Sequence, residues 1–233
     1  MNNLKAIFTT MVGLLPPSAL KNCFLRVLGH AIDKRSHIGS ILIVGSRLEV
    51  ESGAVVGSLS VYLRSSVTIR KQARVGKFVW IASAPDLVCC GAPTELTQPG
   101  HLLVDSHASI MSRHYLDVSG GITIGAYSAL AGGRSSLYTH GIDVDQNAMK
   151  VAPISVGCYS MVGSNVCCAP GARIPSRSVV AMGSVVIPGL SEELSLYAGT
   201  PARAKKRLSP DAAYFTRTTE PRPIVSDGPN GRK

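Results

Sequence analysis

Residues 154–190, ISVGCYSMVGSNVCCAPGARIPSRSVVAMGSVVIPGL, decide the fold. Stepping by six from Val156 gives Val162, Cys168, Ile174, Val180 and Val186, all apolar and all but Cys168 β-branched. The residue after each is small or turn-forming: Gly157, Gly163, Ala169, Pro175, Ala181. The residue four after is mostly small as well: Ser160, Ala172, Ser178, Ser184. A period of six fits neither a helix nor simple strand alternation. It fits a parallel β-helix of hexapeptide repeats, in which each hexapeptide is a short strand and a turn. The branched residue fills a narrow core, the small ones turn the corner, and coils stack through backbone hydrogen bonds. Sandwiches and barrels keep no such phase.

Outward from this run the period returns. Ile38, Val44, Val50 and Val56 are spaced by six, with Gly39, Gly45 and Gly57 behind three of them. Ile69, Val75 and Ile81 form a run offset by one, and Val118, Ile124 and Leu130 a third. Leu130 and Val156 are 26 residues apart, which six does not divide. Something is inserted in SSLYTHGIDVDQNAMKVAPI, residues 135–154, and His140 lies within it. Residues 83–117 are rich in turn formers and read as one awkward coil or a loop.

The ends of a β-helix need caps, because open strand edges pair with other chains. Ser18 is placed to cap a helix running to residue 31, with Leu20, Cys23, Phe24, Val27, Leu28 and Ala31 on one face. That helix reads as a lid; a second reading is contact with a membrane surface, helped by Lys21, Arg26, Lys34 and Arg35. Ser209-Pro210-Asp211 opens a short helix at the other end. The expected organisation is a helical cap over 1–35, an all-β body over 36–189 with an inserted loop near 140–153, a turn and helix over 190–219, and a disordered tail over 220–233.

The bulk numbers agree with a single core of aliphatic residues. The chain has 233 residues, 45% hydrophobic but only 5% aromatic. A net charge of +10 suits an anionic partner. No zinc-finger spacing, RNA-recognition signature or basic reading helix accompanies it, so nucleic acid is not expected. The six cysteines include two adjacent pairs and no CxxC, which fits buried thiols in a reducing cytosol better than disulfides or zinc. No apolar run reaches membrane-spanning length. The first twenty residues mimic a weak signal peptide, yet Pro16-Pro17 stands where cleavage would fall.

Residues 154–190 together with YAGTPARAKKRL resemble the C-terminal half of hexapeptide-repeat acyltransferases, the left-handed β-helix acetyltransferases of the maltose, nodulation-factor and exopolysaccharide type. HYLDVSGGITIGAYSALAGGRSSLYTHGID resembles the part that carries their catalytic histidine. The resemblance implies a left-handed coil, a homotrimer with sites between subunits, acetyl-coenzyme A as co-substrate, and a carbohydrate acceptor. It also implies a cytoplasmic enzyme of polysaccharide or glycoconjugate assembly; the membrane-contact reading of the N-terminal helix places it at the inner face of the membrane. His140 matches the catalytic position. Gly199-Thr200-Pro201-Ala202 matches the closing turn, and Arg203 the basic residue near the cofactor's phosphates. Ile187-Pro188 replaces a Thr-Lys pair common in the family, so Lys205 or Lys206 is the candidate substitute cofactor contact. Gly163, Met182 and Gly183 match the small-residue cofactor groove. Maltose-type members often carry Asp-Asn where Ala126-Tyr127 stands.

Acyl transfer to a hydroxyl needs a base, an oxyanion donor and positioning of both substrates. Histidine suits the base. Asp143, three residues on, is the candidate to orient His140, and its other reading is a turn residue. His114, Asp117 and Tyr127 are the acceptor-side candidates; a surface position is the alternative for His114. The oxyanion donor is sought at Gly132-Gly133 or Gly157. Two other readings use the same fold. One is a non-catalytic trimeric scaffold; the other is a zinc hydratase like the γ-type carbonic anhydrases, using His101, His107, His114 and His140. No resident metal is expected.

Overall fold

A computed structural model describes residues 3–84 and 100–219. Cys89, Cys90 and the expected tail lie outside the described residues. The body is a parallel β-helix with three faces. Face A carries the inward residues Ile32, Val50, Ile69, Val104, Ile124, Val156 and Ile174. Face B carries Ile38, Val56, Val75, Ile110, Leu130, Val162, Val180 and Tyr197. Face C carries Ile43, Tyr62, Ile81, Leu116, Leu137, Cys168 and Val186. Each column is buried and each step along it is one parallel strand pair, so the core is a stack of apolar triangles.

The small residues behind the columns have a steric cause. A Cβ on Gly57 would lie 2.6 Å from the carbonyl carbon of Gly76, and one on Gly157 would lie 2.5 Å from Ser176 N. Coils stack at the strand spacing of about 4.8 Å, and at these corners the backbone uses all of it. The serines finish the corners. Ser160 Oγ donates to Pro175 O and accepts from Ser178 N–H, while Ser128 Oγ donates to Gly157 O and accepts from Ser160 N–H. Buried corner backbone is thereby satisfied without water.

The structure corrects several boundaries. Val44 is 40% exposed, and Ile43 takes its place in the core, because the first coil turns its second corner one residue early. Residues 101–117 are regular, with strands at His101–Val104, Ser109–Ile110 and Tyr115–Asp117. The insertion at 140–153 is an antiparallel hairpin, His140–Asp143 against Ala148–Val151, standing out from the coils. Its return passes over Gly120, where a Cβ would meet Ala152 O at 2.8 Å.

The N-terminal cap holds two helices, α1 (Asn3–Leu14) and α2 (Ala19–Val27). Ser18 does cap α2, accepting from Lys21 N–H. The helix ends at Val27, not 31, and its buried residues are Lys21, Asn22 and Leu25 rather than the expected apolar face. Lys21 is fully buried, and its ammonium donates to Gly13 O, Leu15 O and Gly39 O, tying the end of α1 to the first coil. Burial pushes it down to about 8. At the other end a hairpin, Ser195–Gly199 with Ala202–Arg207, extends face B. Ser209 caps only a turn through Asp211 N–H, and the short helix α3 spans Ala213–Thr216.

Gly57→Val is expected to lower unfolding free energy by about 2–3 kcal/mol, since backbone must move to admit it. Gly141→Ala, whose Cβ would meet only Pro170 Cγ at 3.6 Å, should stay within about 0.5 kcal/mol of the parent. Chemical denaturation of both variants checks the pair.

Candidate active site

His140 stands at the root of the hairpin, where the chain leaves face C. One coil earlier, Asp117 ends the strand Tyr115–Asp117, and the pairing of Leu116 with Leu137 brings it beside the histidine. His140 Nδ1 lies 2.7 Å from Asp117 Oδ2. The carboxylate side chain is 4% exposed and the imidazole 33%, so the pair has a sheltered end and an open end.

Asp117 is held as an anion. Burial raises its proton affinity, but hydrogen bonds outweigh that and lower it. Ser119 gives both its hydroxyl, at 2.6 Å, and its N–H; Thr139 gives its N–H at 2.8 Å and its hydroxyl at 2.9 Å. Thr139 Oγ1 also accepts from Gly120 N–H, fixing it in turn. An ionised carboxylate at Nδ1 keeps the proton there and leaves the lone pair on Nε2. Nε2 has no hydrogen-bond partner among the described residues. This arrangement can remove a proton from a group brought to the open edge of the ring.

Asp143 does not orient His140. It lies at the far end of the hairpin, and its Oδ1 accepts from Asp145 N–H and Gln146 N–H as a turn residue. His114 is not at the surface: it is 2% exposed, with Nδ1 accepting from Ser135 N–H and Nε2 unpaired. Tyr127 sits at the corner between faces A and B, stacked on His107 at 4.7 Å and Tyr159 at 4.8 Å. Arg217, just after α3, donates to Tyr127 O and covers the Tyr214 ring, so this corner holds α3 in place. Gly157 N–H is used by Ile174 O and is no free oxyanion donor.

Of the expected cofactor residues, Gly163, Met182 and Gly183 share the corner between faces B and C. Gly163 lies there because a Cβ would meet Met182 N at 2.8 Å. Met182 is 75% exposed one coil on, and Gly183, at φ +71°, has open space around it. Gly199 N–H donates to Ser184 Oγ, which seats the closing turn above this corner. Arg203 and Lys205 leave that turn on the exposed strand Ala202–Arg207; Arg203 lines a cavity of about 310 Å³ with Ile187, Pro188 and Tyr197. Farther down the B–C corner a cavity of about 510 Å³ is lined by Lys77, Arg113 and Arg134 with Gly132, Ser164 and Asn165. These cations form no ion pair among the described residues. The sequence offered no local motif for them, since their coincidence depends on coil stacking.

His140 and this groove occupy different corners of one chain. A face of about six residues at about 3.3 Å each separates corners by on the order of 15–20 Å. Cys168 is on the inward column, and burial pushes its thiol up to about 12, which removes it as a nucleophile. Among the described residues no three His, Cys, Asp or Glu side chains converge as metal ligands would; the four histidines named above are dispersed over separate faces and corners.

The chain thus has the hexapeptide-repeat parallel β-helix fold. Its structural neighbours include a hexapeptide-repeat-containing acetyltransferase and other acyltransferases. AntD, an N-acyltransferase from Bacillus cereus in complex with dTDP-4-amino-4,6-dideoxyglucose and coenzyme A, is 14% identical, covers 83% of this chain and 91% of its own, and superposes with a TM-score of 0.51. A hexapeptide-repeat acetyltransferase from Vibrio cholerae O1 biovar eltor, complexed with acetyl-coenzyme A, is 19% identical over 89% of this chain and 86% of its own, with a TM-score of 0.45. A maltose O-acetyltransferase from Clostridium difficile 630 is 15% identical over 63% and 71%, with a TM-score of 0.36. No family model and no curated protein matches the sequence.

Two buried imidazoles give the fold a pH dependence. His30 Nδ1 accepts from Leu48 N–H as His114 Nδ1 does from Ser135, and burial pushes each ring down to about 4. The unfolded chain titrates them near 6.5. Between about 6.5 and 4 the unfolded state therefore binds more protons, and stability falls as pH drops through that window, then levels below it. Melting temperatures across this range should decline, and His114→Gln should show a lower plateau with a shallower slope. A parent protein with constant melting temperature from pH 6.5 to 4 contradicts the assignment.

Proposed function

We propose that the protein is an acyltransferase that moves an acyl group, acetyl in the simplest case, from coenzyme A to a hydroxyl of a carbohydrate acceptor, with His140 as general base. The observation that carries this reading is the 2.7 Å contact of His140 Nδ1 with an anionic, fully hydrogen-bonded Asp117. A sugar hydroxyl is a poor nucleophile until its proton is withdrawn, so a base with a fixed lone pair is what acyl transfer to oxygen needs. In this scheme Nε2 takes the hydroxyl proton as the oxygen attacks the thioester carbon. The imidazolium, steadied by Asp117, then returns that proton to the departing thiolate. AntD and the Vibrio cholerae protein were both obtained with the same class of co-substrate, the former with an amino sugar. The base in this chain supports oxygen over nitrogen as the accepting atom.

Because the base and the groove lie on separate corners, the reading includes assembly as a homotrimer in which His140 of one chain faces the B–C corner of the next. Along that corner the thioester arm would lie against Gly163, Met182 and Gly183, with Arg203 and Lys205 toward the phosphates. Lys77 and Arg113, lower on the same corner, support an acceptor that itself bears phosphate. Such an acceptor would be a nucleotide-linked or lipid-diphosphate-linked sugar of polysaccharide or glycoconjugate assembly in the cytoplasm.

His140→Ala is expected to lower turnover by about 10²–10⁴ with coenzyme A affinity nearly unchanged. Asp117→Asn should also cut turnover by about 10²–10⁴, through the wrong tautomer. The assay is release of free thiol from acetyl-coenzyme A with a panel of nucleotide and lipid-linked sugars, the product located by mass spectrometry. Unchanged turnover in His140→Ala removes the base assignment. Lys77→Ala with Arg113→Ala should raise KM for a phosphorylated acceptor about tenfold or more and leave coenzyme A binding alone; the opposite split assigns those cations to the cofactor.

A further inference from the structure

The two N-terminal helices are mounted the wrong way round for a soluble lid. On α1 the apolar stripe that includes Ile7, Met11 and Leu14 is exposed, each residue more than half so. The side turned to the coils is mostly polar or small: Thr10 Oγ1 donates to Ile43 O at 2.7 Å, Thr9 is buried, and Gly13 O accepts from Ile41 N–H, with Val12 alone packing on the core. On α2 the same inversion holds. Leu20, Phe24 and Val27 face out, Val27 at 79% exposure, while Lys21 and Asn22 face in beside a single apolar residue, Leu25. A helix left to the hydrophobic effect alone would bury its apolar stripe against the core. Here buried hydrogen bonds, those of Lys21 above all, hold the stripes away from it. Apolar stripes kept exposed on two packed helices by specific polar contacts mark a docking face.

The charge around it selects the occupant. Residues 1–32 contain no Asp or Glu; Lys5 and Arg26 lie on the two helices, and Lys34 and Arg35 follow in the first coil beside one acidic residue, Asp33. A protein partner of ordinary composition has no call for that one-sided field, whereas an anionic lipid surface matches both parts of it. At about 1.5 Å per residue, the 12 residues of α1 span about 18 Å, short of the ~30 Å hydrocarbon core. No helix among the described residues is long and apolar enough to cross a membrane. We propose that α1 and α2 form an interfacial anchor, lying in the plane of an anionic bilayer with Ile7, Met11, Leu14, Leu20, Phe24 and Val27 among the acyl chains. The cap is at the N-terminal end of the coil stack, so the bilayer would meet that end and leave the His140 corner in water. The inference does not depend on the acyltransferase reading and stands or falls on lipid binding.

Cosedimentation of the full-length protein with vesicles tests it. The parent should pellet with phosphatidylcholine–phosphatidylglycerol vesicles and much less with phosphatidylcholine alone. Ile7→Glu with Met11→Glu, and separately Phe24→Glu, should each reduce binding at least about tenfold. Lys34→Glu with Arg35→Glu should remove most of the preference for the anionic lipid. All of these positions are exposed, so unchanged melting temperatures are expected and separate lost docking from lost folding. A parent that stays in the supernatant with anionic vesicles overturns the proposal. So does a parent that binds while the glutamate variants bind equally well. A loss of a higher oligomer in Ile7→Glu/Met11→Glu, seen by sedimentation velocity without any lipid binding by the parent, assigns the face to a second copy and likewise overturns it.

Discussion

Coils in this protein stack at the spacing of hydrogen-bonded strands, and the corners have no slack in that spacing. Gly39, Gly57, Gly76, Gly125 and Gly157 each stand where a Cβ would come within 3 Å of the next coil's backbone. The apolar column beside them and the serines that satisfy the corner N–H groups complete one repeating unit. One or two extra residues fit within a coil, as between Val50 and Ile69 or Val104 and Ile124, but a longer insertion must leave the stack. The hairpin at 140–151 is such an exit, and its path over Gly120 is open only because that position lacks a side chain. His140 is displayed where the regular chain ends and the excursion starts. The rigidity of the coils is then what holds Asp117 and Thr139 around it, because both belong to the strands and turns of adjacent coils.

The three corners have become different surfaces. The corner after face C bears the base. The corner between B and C is glycine-rich, open at Gly183 and cationic lower down. The corner between A and B is closed by stacked rings and by Arg217. A triangular prism cannot bring two of its own corners together, so chemistry that needs both the base and the groove requires a neighbouring chain. The geometry thereby ties the proposed reaction to the proposed assembly.

The sequence carried the fold well because period six is a property of consecutive residues. It carried the site less well because the site is built across coils. Asp143 is near His140 in the chain and distant in space; Asp117 is 23 residues away and 2.7 Å from it. That pairing was hidden by the unequal length of the coils, which also hid the stacking of Tyr127 between His107 and Tyr159. Val44 failed as a core residue because an apolar run, Leu42-Ile43-Val44, does not say which member points inward. The amphipathic helix at Ser18 was legible, but the side on which it would be covered was not. That depended on Lys21 finding three carbonyls, a contact made between residues 8, 6 and 18 positions apart.

The central claim is that one chain's His140 works on a groove supplied by another. Subunit complementation tests it most directly. Chains carrying His140→Ala and chains carrying Gly183→Trp, a bulky group placed in open space on the B–C corner, are each expected to be inactive alone. Unfolded and reassembled together, they should regain a clear fraction of parental activity, since mixed oligomers contain sites with an intact imidazole facing an intact groove. Mixed assemblies that form, as shown by differential tags, yet stay as inactive as the separate variants would contradict the account.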